Sequence, residues 1–323
     1  MRLQKHKWRK GFHQRALMAI HRSPTGKWHS TTMRIVTGSY TYTFDDIQNR
    51  PVAVIGAGTL GRRIALMFAT RGGTVRIYAR RQEQRDEATQ YVTQALPKLV
   101  ADRGFGAVGK VIATGSLDEA LADAWLAVES VPEKLEIKIP LWGEIDQAAP
   151  PDTIFGTNSS SLPSRLMGEN LHDKTRFCNM HFYMPPDINA IELMSNGQTD
   201  RGLLDTLLTV LPEFGVHPFE ARKESTGFIF NRVWAAIKRE SLAVVAEGVA
   251  RPEDIDGMFK LALGVSVGPF QMMDLVGLDV VLDIENHYAA QFPHLPKNVR
   301  DLLQSYIDAG KLGIKTGEGF YRY

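Results

Sequence analysis

The chain has 323 residues, enough for two domains that each bury a core of their own. Its 44% apolar and 23% charged residues are typical of a globular protein, and no uninterrupted apolar run reaches the ~18 residues of a membrane-spanning helix. Cys178 is the only cysteine, which excludes an internal disulfide, favours a reducing compartment and reads as a small buried residue.

Charge is unevenly spread. Residues 1–44 carry nine Lys or Arg and no acid, so the remaining 29 basic and 36 acidic residues leave the body at −7. With no basic excess outside the leader, nucleic-acid binding is not expected, and neither is a membrane. A basic, acid-free leader with an amphipathic stretch at Phe12–Ile20 fits a mitochondrial transit peptide; a disordered leader, or a start at Met33, is the alternative. The expected setting is cytoplasmic or mitochondrial, and the ending Tyr321-Arg322-Tyr323 is not the peroxisomal S-K-L.

The elements follow in order. Pro51–Ile55 is a short apolar run ending in a glycine turn, the pattern of a buried parallel strand. From Gly61, residues Ile64, Ala65, Met67 and Phe68 give helical spacing up to the stop at Arg71-Gly72-Gly73, and Thr74–Ala79 is a second strand. That is one strand–helix–strand crossover of about 30 residues. Trp125–Ser130 predicts a strand, Leu135–Gln147 a helix, and Thr153–Thr157 and Arg176–Phe182 two further strands. After Glu224 the pattern turns helical. Ser225-Thr226 can cap a helix running from Gly227 to Gly248, followed by helical or loop patterns at Pro252–Leu263, Gly268–Glu285 and Asn298–Ala309. The expected fold class is α/β. Residues 1–48 form a basic extension read as disordered, 49–224 a doubly wound, mostly parallel sheet, and 225–323 an all-helical domain.

Gly56-x-Gly58-x-x-Gly61 sits between the first strand and its helix, the context that turns a weak motif into a dinucleotide site. Gly56 permits the tight turn, Gly58 lets the backbone approach a pyrophosphate, and Gly61 lets helix and strand pack closely. Thr59 and Leu60 open the helix, whose free N–H groups and positive dipole end favour phosphates. The second strand ends in Tyr78-Ala79-Arg80-Arg81. A ribose 2′-hydroxyl is usually held there by Asp or Glu, and this chain has none. Two guanidinium groups can instead bind a 2′-phosphate, which favours NADP(H) over NAD(H); a solvated helix start is the other reading.

Asn158-Ser159-Ser160-Ser161 follows one strand, His181 ends another, and Glu192 lies beyond a Pro-Pro loop. A His beside a carboxylate is a device for moving a hydroxyl proton, and nearby hydroxyls and amides can hold the substrate oxygen. By itself His181 could equally be a structural histidine. The nine histidines show no metal-ligand spacing, so no metal is expected.

The ordered motifs V-E-S-V-P-E-K-L-E-I-K (128–138), N-S-S-S-L (158–162), H-F-Y-M-P-P (181–186), G-F-I-F-N-R (227–232), G-P-F-Q-M-M-D-L-V-G-L-D (268–279) and G-K-L-G-I-K-T-G-E-G-F-Y-R-Y (310–323) join the glycine turn. Together they resemble the L-3-hydroxyacyl-CoA dehydrogenase family over roughly residues 50–323. That family includes relatives acting on small hydroxy acids, such as L-gulonate 3-dehydrogenase, and lambda-crystallin. The resemblance implies a Rossmann-type domain followed by a helical domain that dimerises, with the site in the cleft between them. It implies His181 as general base and Glu192 as its partner, with Ser160 and Asn231 bonding the substrate oxygens. Glu133, Lys138 and Asn158 would lie on the cofactor side.

Three departures bear on the substrate. The family stretch H-F-F-N-P reads H-F-Y-M-P here, with Met184 at the Asn position. The His181–Glu192 spacing is one residue shorter, and the segment between Ala79 and Glu129 is shorter than in the acyl-CoA enzymes. The expected activity is therefore NAD(P)-dependent interconversion of a 3-hydroxyacyl-CoA, or a related small 3-hydroxy acid, and its 3-keto form. A dehydrogenase of a free hydroxy or sugar acid is the alternative. A non-catalytic, crystallin-like cofactor binder is the reading from another class.

Overall fold

The computed structural model describes residues 34–37, 40–43, 47 and 49–323, so the leader and its transit-peptide reading lie outside the described residues. Ten strands and ten α-helices are described. Strands β1 (Arg34–Thr37) and β2 (Tyr40–Thr43) pair antiparallel with Arg34 opposite Thr43. Within the extension expected as disordered, these two short strands are described. Ile35, Val36, Tyr40 and Tyr42 are β-formers set around Gly38-Ser39, a hairpin signal masked by the basic residues upstream.

The main sheet has eight strands: β3 (Val52–Ile55), β4 (Thr74–Tyr78), β5 (Lys110–Thr114), β6 (Leu126–Glu129), β7 (Ile154–Thr157), β8 (Phe177–Met184), β9 (Ile188–Ser195) and β10 (His217–Ala221). Their spatial order is β10-β9-β8-β7-β6-β3-β4-β5, parallel throughout except where β8 meets β9. Helices α1 (Thr59–Ala69), α2 (Gln82–Arg103), α3 (Leu117–Leu121), α4 (Leu135–Ala148) and α5 (Arg201–Val210) belong to this part. Two apolar clusters, one on each face, make it doubly wound: Ile64, Phe68, Trp125 and Phe214 in one, Trp142, Phe155 and Phe177 in the other. Cys178 is fully buried in the first cluster, and burial pushes its thiol up to about 12.

Strands β5, β9 and β10 and helix α2 carry no prediction from the pattern above. β9 opens with the exposed Ile188 and is buried only from Ile191, and β10 has a proline inside and an exposed Phe219, so neither shows apolar residues at a clean period of two. α2 is polar almost all round and has Pro97 in its interior, which hides its 22 residues from periodicity.

Helices α6 (Phe230–Ala246), α7 (Pro252–Leu263), α8 (Pro269–Val276), α9 (Leu278–Gln291) and α10 (Asn298–Asp308) form the second part around Leu242, Phe270, Val299 and Phe320. The stretch expected as one helix at Gly268–Glu285 is broken at Gly277, whose φ of +104° lies outside the helical range. The chain end is sealed by two buried carboxylates. Asp274 accepts the Phe320 and Tyr321 N–H groups, and Asp256 accepts the Phe270 and Gln271 N–H groups and the Tyr321 hydroxyl. Exposed apolar side chains stand on α7 and α8, among them Met258, Leu261 and Leu275. Among the described residues no helix is long and apolar enough to cross a membrane.

Candidate active site

The glycine turn is built as its three positions require. Gly56 has φ +113°, and a Cβ there would lie 2.6 Å from the Ser130 carbonyl oxygen. A Cβ on Gly61 would overlap the Gly56 carbonyl, so α1 can approach β3 only without a side chain. A Cβ on Gly58, in contrast, meets nothing within 4 Å: the space beside this backbone is open. Gly58 caps α1 without a side-chain acceptor, which leaves the first N–H groups of Thr59, Leu60 and Gly61 facing outward.

These residues line one side of a cleft of about 1170 Å³. Its walls include Ala79, Arg80 and Arg81 after β4, Glu133 and Lys138 before and on α4, Asn158 and Ser160 after β7, and His181, Phe182 and Tyr183 on β8. Arg80 and Arg81 are exposed. The turn bearing them is held by Arg85, whose guanidinium donates to the Ala79 and Arg80 carbonyls at 2.7 and 2.9 Å. No acidic side chain follows β4 before Glu83.

Lys138 is fully buried and pairs with the equally buried Glu129, Nζ to Oε1 at 2.6 Å, and with Glu133 at 3.3 Å. Its charge is thus already neutralised by two carboxylates. Thr157 and the Val131 N–H satisfy Glu129 further. Glu133 Oε1 accepts from the Ser159 and Ser161 hydroxyls and from the Ser160 and Ser161 N–H groups. Burial opposes its ionisation, but these bonds and Lys138 outweigh that and hold its carboxyl below the usual range. Glu133 therefore clasps the loop that carries Ser160. Asn158 likewise works inward, its Oδ1 accepting the Phe182 N–H at 2.8 Å beside His181.

His181 and Glu192 are direct partners across the antiparallel β8–β9 pair. Both are buried, and His181 Nδ1 lies 3.3 Å from Glu192 Oε2. The shorter spacing between them is absorbed in the hairpin, where the register shifts between Phe182 and Met184. The same Oε2 accepts the Tyr183 hydroxyl at 2.8 Å, while Oε1 accepts the Ile229 and Phe230 N–H groups at 2.9 and 2.8 Å. Burial raises the Glu192 carboxyl, but the bonds from His181, Phe230, Tyr183 and Ile229 prevail and keep it below the ordinary range.

This arrangement corrects the predicted start of α6. Ser225 and Thr226 do not cap it; Ser225 Oγ donates to the Phe228 carbonyl and Thr226 to Gln291. The helix begins at Phe230, and its free N–H groups are taken by Glu192 from the sheet. A cap supplied from another domain is invisible to local sequence. Phe228 has φ +53°, a left-handed conformation that a non-glycine residue holds at a cost, and its ring stacks on His181 at 5.2 Å. Asn231 follows on the first turn of α6, half-buried and next to the Glu192 contact. Tyr183, Phe228 and Glu129 are the neighbours that the sequence reading did not single out. Among the described residues no group of three or more His, Cys, Asp or Glu is placed to hold a metal ion.

A backbone opened for a pyrophosphate and a cleft wall carrying a buried imidazole–carboxylate pair define the class: a dinucleotide-dependent dehydrogenase. The models of the 3-hydroxyacyl-CoA dehydrogenase NAD binding domain and C-terminal domain match residues 51–225 and 227–323. A probable 3-hydroxyacyl-CoA dehydrogenase of Caenorhabditis elegans is 32% identical over 285 residues, spanning 84% of this chain and 92% of its own. The solved (S)-3-hydroxybutyryl-CoA dehydrogenase of Ralstonia eutropha matches with a TM-score of 0.76 at 27% identity, over 85% of this chain and 99% of its own. A diketoreductase structure, described as acting on dicarbonyl compounds, matches at 0.72 and 30% identity over 85% and 99%. The chain belongs to the 3-hydroxyacyl-CoA dehydrogenase family, and it is an oxidoreductase acting on CH–OH groups.

Proposed function

We propose that the chain interconverts a 3-hydroxyacyl thioester, or a related small 3-hydroxy acid, and its 3-keto form, with His181 as general base and Glu192 as its partner. The observation that carries this reading is the buried His181–Glu192 contact on facing strands, in the wall of the cleft that the glycine turn opens. Glu192 accepts from Nδ1 and so holds the imidazole in the tautomer whose Nε2 is free. Nε2 takes the hydroxyl proton in oxidation and returns it in reduction, and the carboxylate stabilises the imidazolium in between. Ser160, set by the Glu133 clasp, and Asn231 bond the substrate oxygens. Gly56, Gly58, Thr59, Leu60 and Gly61 would hold the dinucleotide, which supplies or accepts the hydride when bound.

The test is turnover of acetoacetyl-CoA and of small keto acids with NADPH and NADH. Activity on the thioester that disappears in His181→Ala while cofactor binding persists is the expected result; inertness of the parent across the whole panel would sink the reading. The free-acid alternative has an observation of its own. Met184, where the family motif has Asn, is 38% exposed at the hairpin end, which removes a polar contact and favours a substrate gripped without it. Greater activity on the keto acids than on the thioester would select it.

The cofactor we favour is NADP(H). Ala79 offers no carboxylate, and among the described residues neither Arg80 nor Arg81 has a hydrogen-bonded or ionic partner for its side chain. Replacing both arginines by Ala is expected to weaken NADPH binding roughly tenfold or more while leaving NADH within about twofold, since bonds to a charged group contribute about 1.5–3 kcal/mol. Equal losses for the two cofactors, read by calorimetry, would contradict it. The exposed apolar residues of α7 and α8 support a homodimer through the helical domain, which equilibrium sedimentation reads directly.

A further inference from the structure

We propose that Tyr183 is a positioning residue that tunes the His181–Glu192 pair, sharing one carboxylate oxygen with the imidazole. The inference rests on the roles given to His181 and Glu192 above. His181 and Tyr183 are two residues apart on β8 and so share one face of the sheet. That face meets Glu192 on β9. The Tyr183 hydroxyl donates to Oε2 at 2.8 Å, closer than His181 Nδ1 at 3.3 Å to the same oxygen. The tyrosine is therefore the better-seated donor on the very atom that must polarise the imidazole.

The phenol is also fixed. Its ring centroid is 4.7 Å from that of His181 and 5.8 Å, edge-on, from that of Phe230. Where the family stretch reads H-F-F-N-P, this chain has H-F-Y-M-P, so a hydroxyl stands one residue before the position at which Met184 replaces an amide.

The consequence is electrostatic. Oε1 is fully taken by the α6 amino end, so Oε2 is what remains for the imidazolium. A phenolic proton on Oε2 withdraws part of its negative charge, which leaves less of it to stabilise an imidazolium at His181. The other ionisable groups of the neighbourhood are committed elsewhere. Lys138 is held by Glu129, Glu133 by the serine loop, Arg232 by Ser225, and Arg63 by Pro185 and Asp187.

The readout is the titration of His181 in the apo protein by NMR, its imidazole signals assigned by their loss in His181→Asn. In Tyr183→Phe the midpoint should rise by about half a unit to one unit, a three- to tenfold gain in proton affinity. The rise should be absent when the same change is made in Glu192→Gln. Placing 3-fluorotyrosine at 183, a stronger donor of the same shape, should move the midpoint the other way. A midpoint unmoved by both substitutions, or moved alike by both, would overturn the proposal. Because no substrate is needed, these outcomes are independent of whether the thioester is turned over. The acid limb of the kcat/KM profile should follow the same shift in the active enzyme.

Discussion

Glu192→Gln is expected to lower kcat by about 10²–10⁴-fold while the dinucleotide binds as tightly as before. The loss follows from counting donors and acceptors. Glu192 takes four donors: His181 and Tyr183 on one oxygen, Ile229 and Phe230 on the other. A glutamine offers one oxygen and one NH2 group. If the oxygen stays on the α6 amino end, the NH2 faces Nδ1 and forces it to accept, which moves the imidazole proton to Nε2 and blocks the base. If the side chain turns round, two N–H groups of α6 lose their cap and meet donors instead. Either way the catalytic tautomer or the docking of α6 on the sheet is lost. Steady-state kinetics with calorimetry of cofactor binding decides it, and a variant with kcat within threefold of the parent would remove Glu192 from the mechanism.

The same carboxylate ties stability to pH. Its folded-state pKa is depressed, so its contribution is complete above the ordinary carboxylate range and fades as pH falls through the depressed value. The parent should lose thermal stability on acidification in that window more steeply than Glu192→Gln, which has no proton to take up at this position. Below the window the two curves should converge.

Much of this was legible in the chain itself, for reasons that differ from residue to residue. The glycine turn was readable because each glycine answers a local steric demand, and the first strand–helix–strand unit because β3 is a fully buried apolar run ending at Gly56 while β4, which follows Gly72-Gly73, alternates half-buried and buried residues. The Glu192 cap on α6 was not, since donor and acceptor are 37 and 38 residues apart and belong to different parts of the fold. Lys138, which lines the cleft, shows a related limit. At the start of a helix, near Glu133 and Glu136, it looks available to a ligand, whereas the fold buries it against Glu129, nine residues earlier at the end of a strand. Tyr183 stands inside the H-F-Y-M-P-P stretch, but only the pairing of β8 with β9 brings its hydroxyl to the Glu192 carboxylate. In these three cases the missing information was the pairing of one element with another.

Two glycines of the turn, three residues apart, should respond to alanine in opposite ways. At Gly61 the added methyl would collide with the Gly56 carbonyl, which is backbone and cannot swing aside. Either α1 shifts from β3 or the turn distorts, and overpacking of this kind costs about 3 kcal/mol or more. The melting temperature should fall by about 6–12 °C, with cofactor binding lost alongside because the turn itself has moved. At Gly58 the methyl enters open space, and the backbone at φ −68° suits alanine. Gly58→Ala should therefore melt within a few degrees of the parent, the small difference reflecting a poorer helix cap. Its cofactor affinity should nonetheless drop roughly tenfold or more, about 1.4 kcal/mol, because the methyl occupies the approach to the pyrophosphate. Calorimetric melting and binding on the two variants separate a glycine needed by the fold from one needed by the ligand. If Gly58→Ala bound the dinucleotide like the parent, the pyrophosphate would not lie against this turn, and the cleft would have to hold it elsewhere.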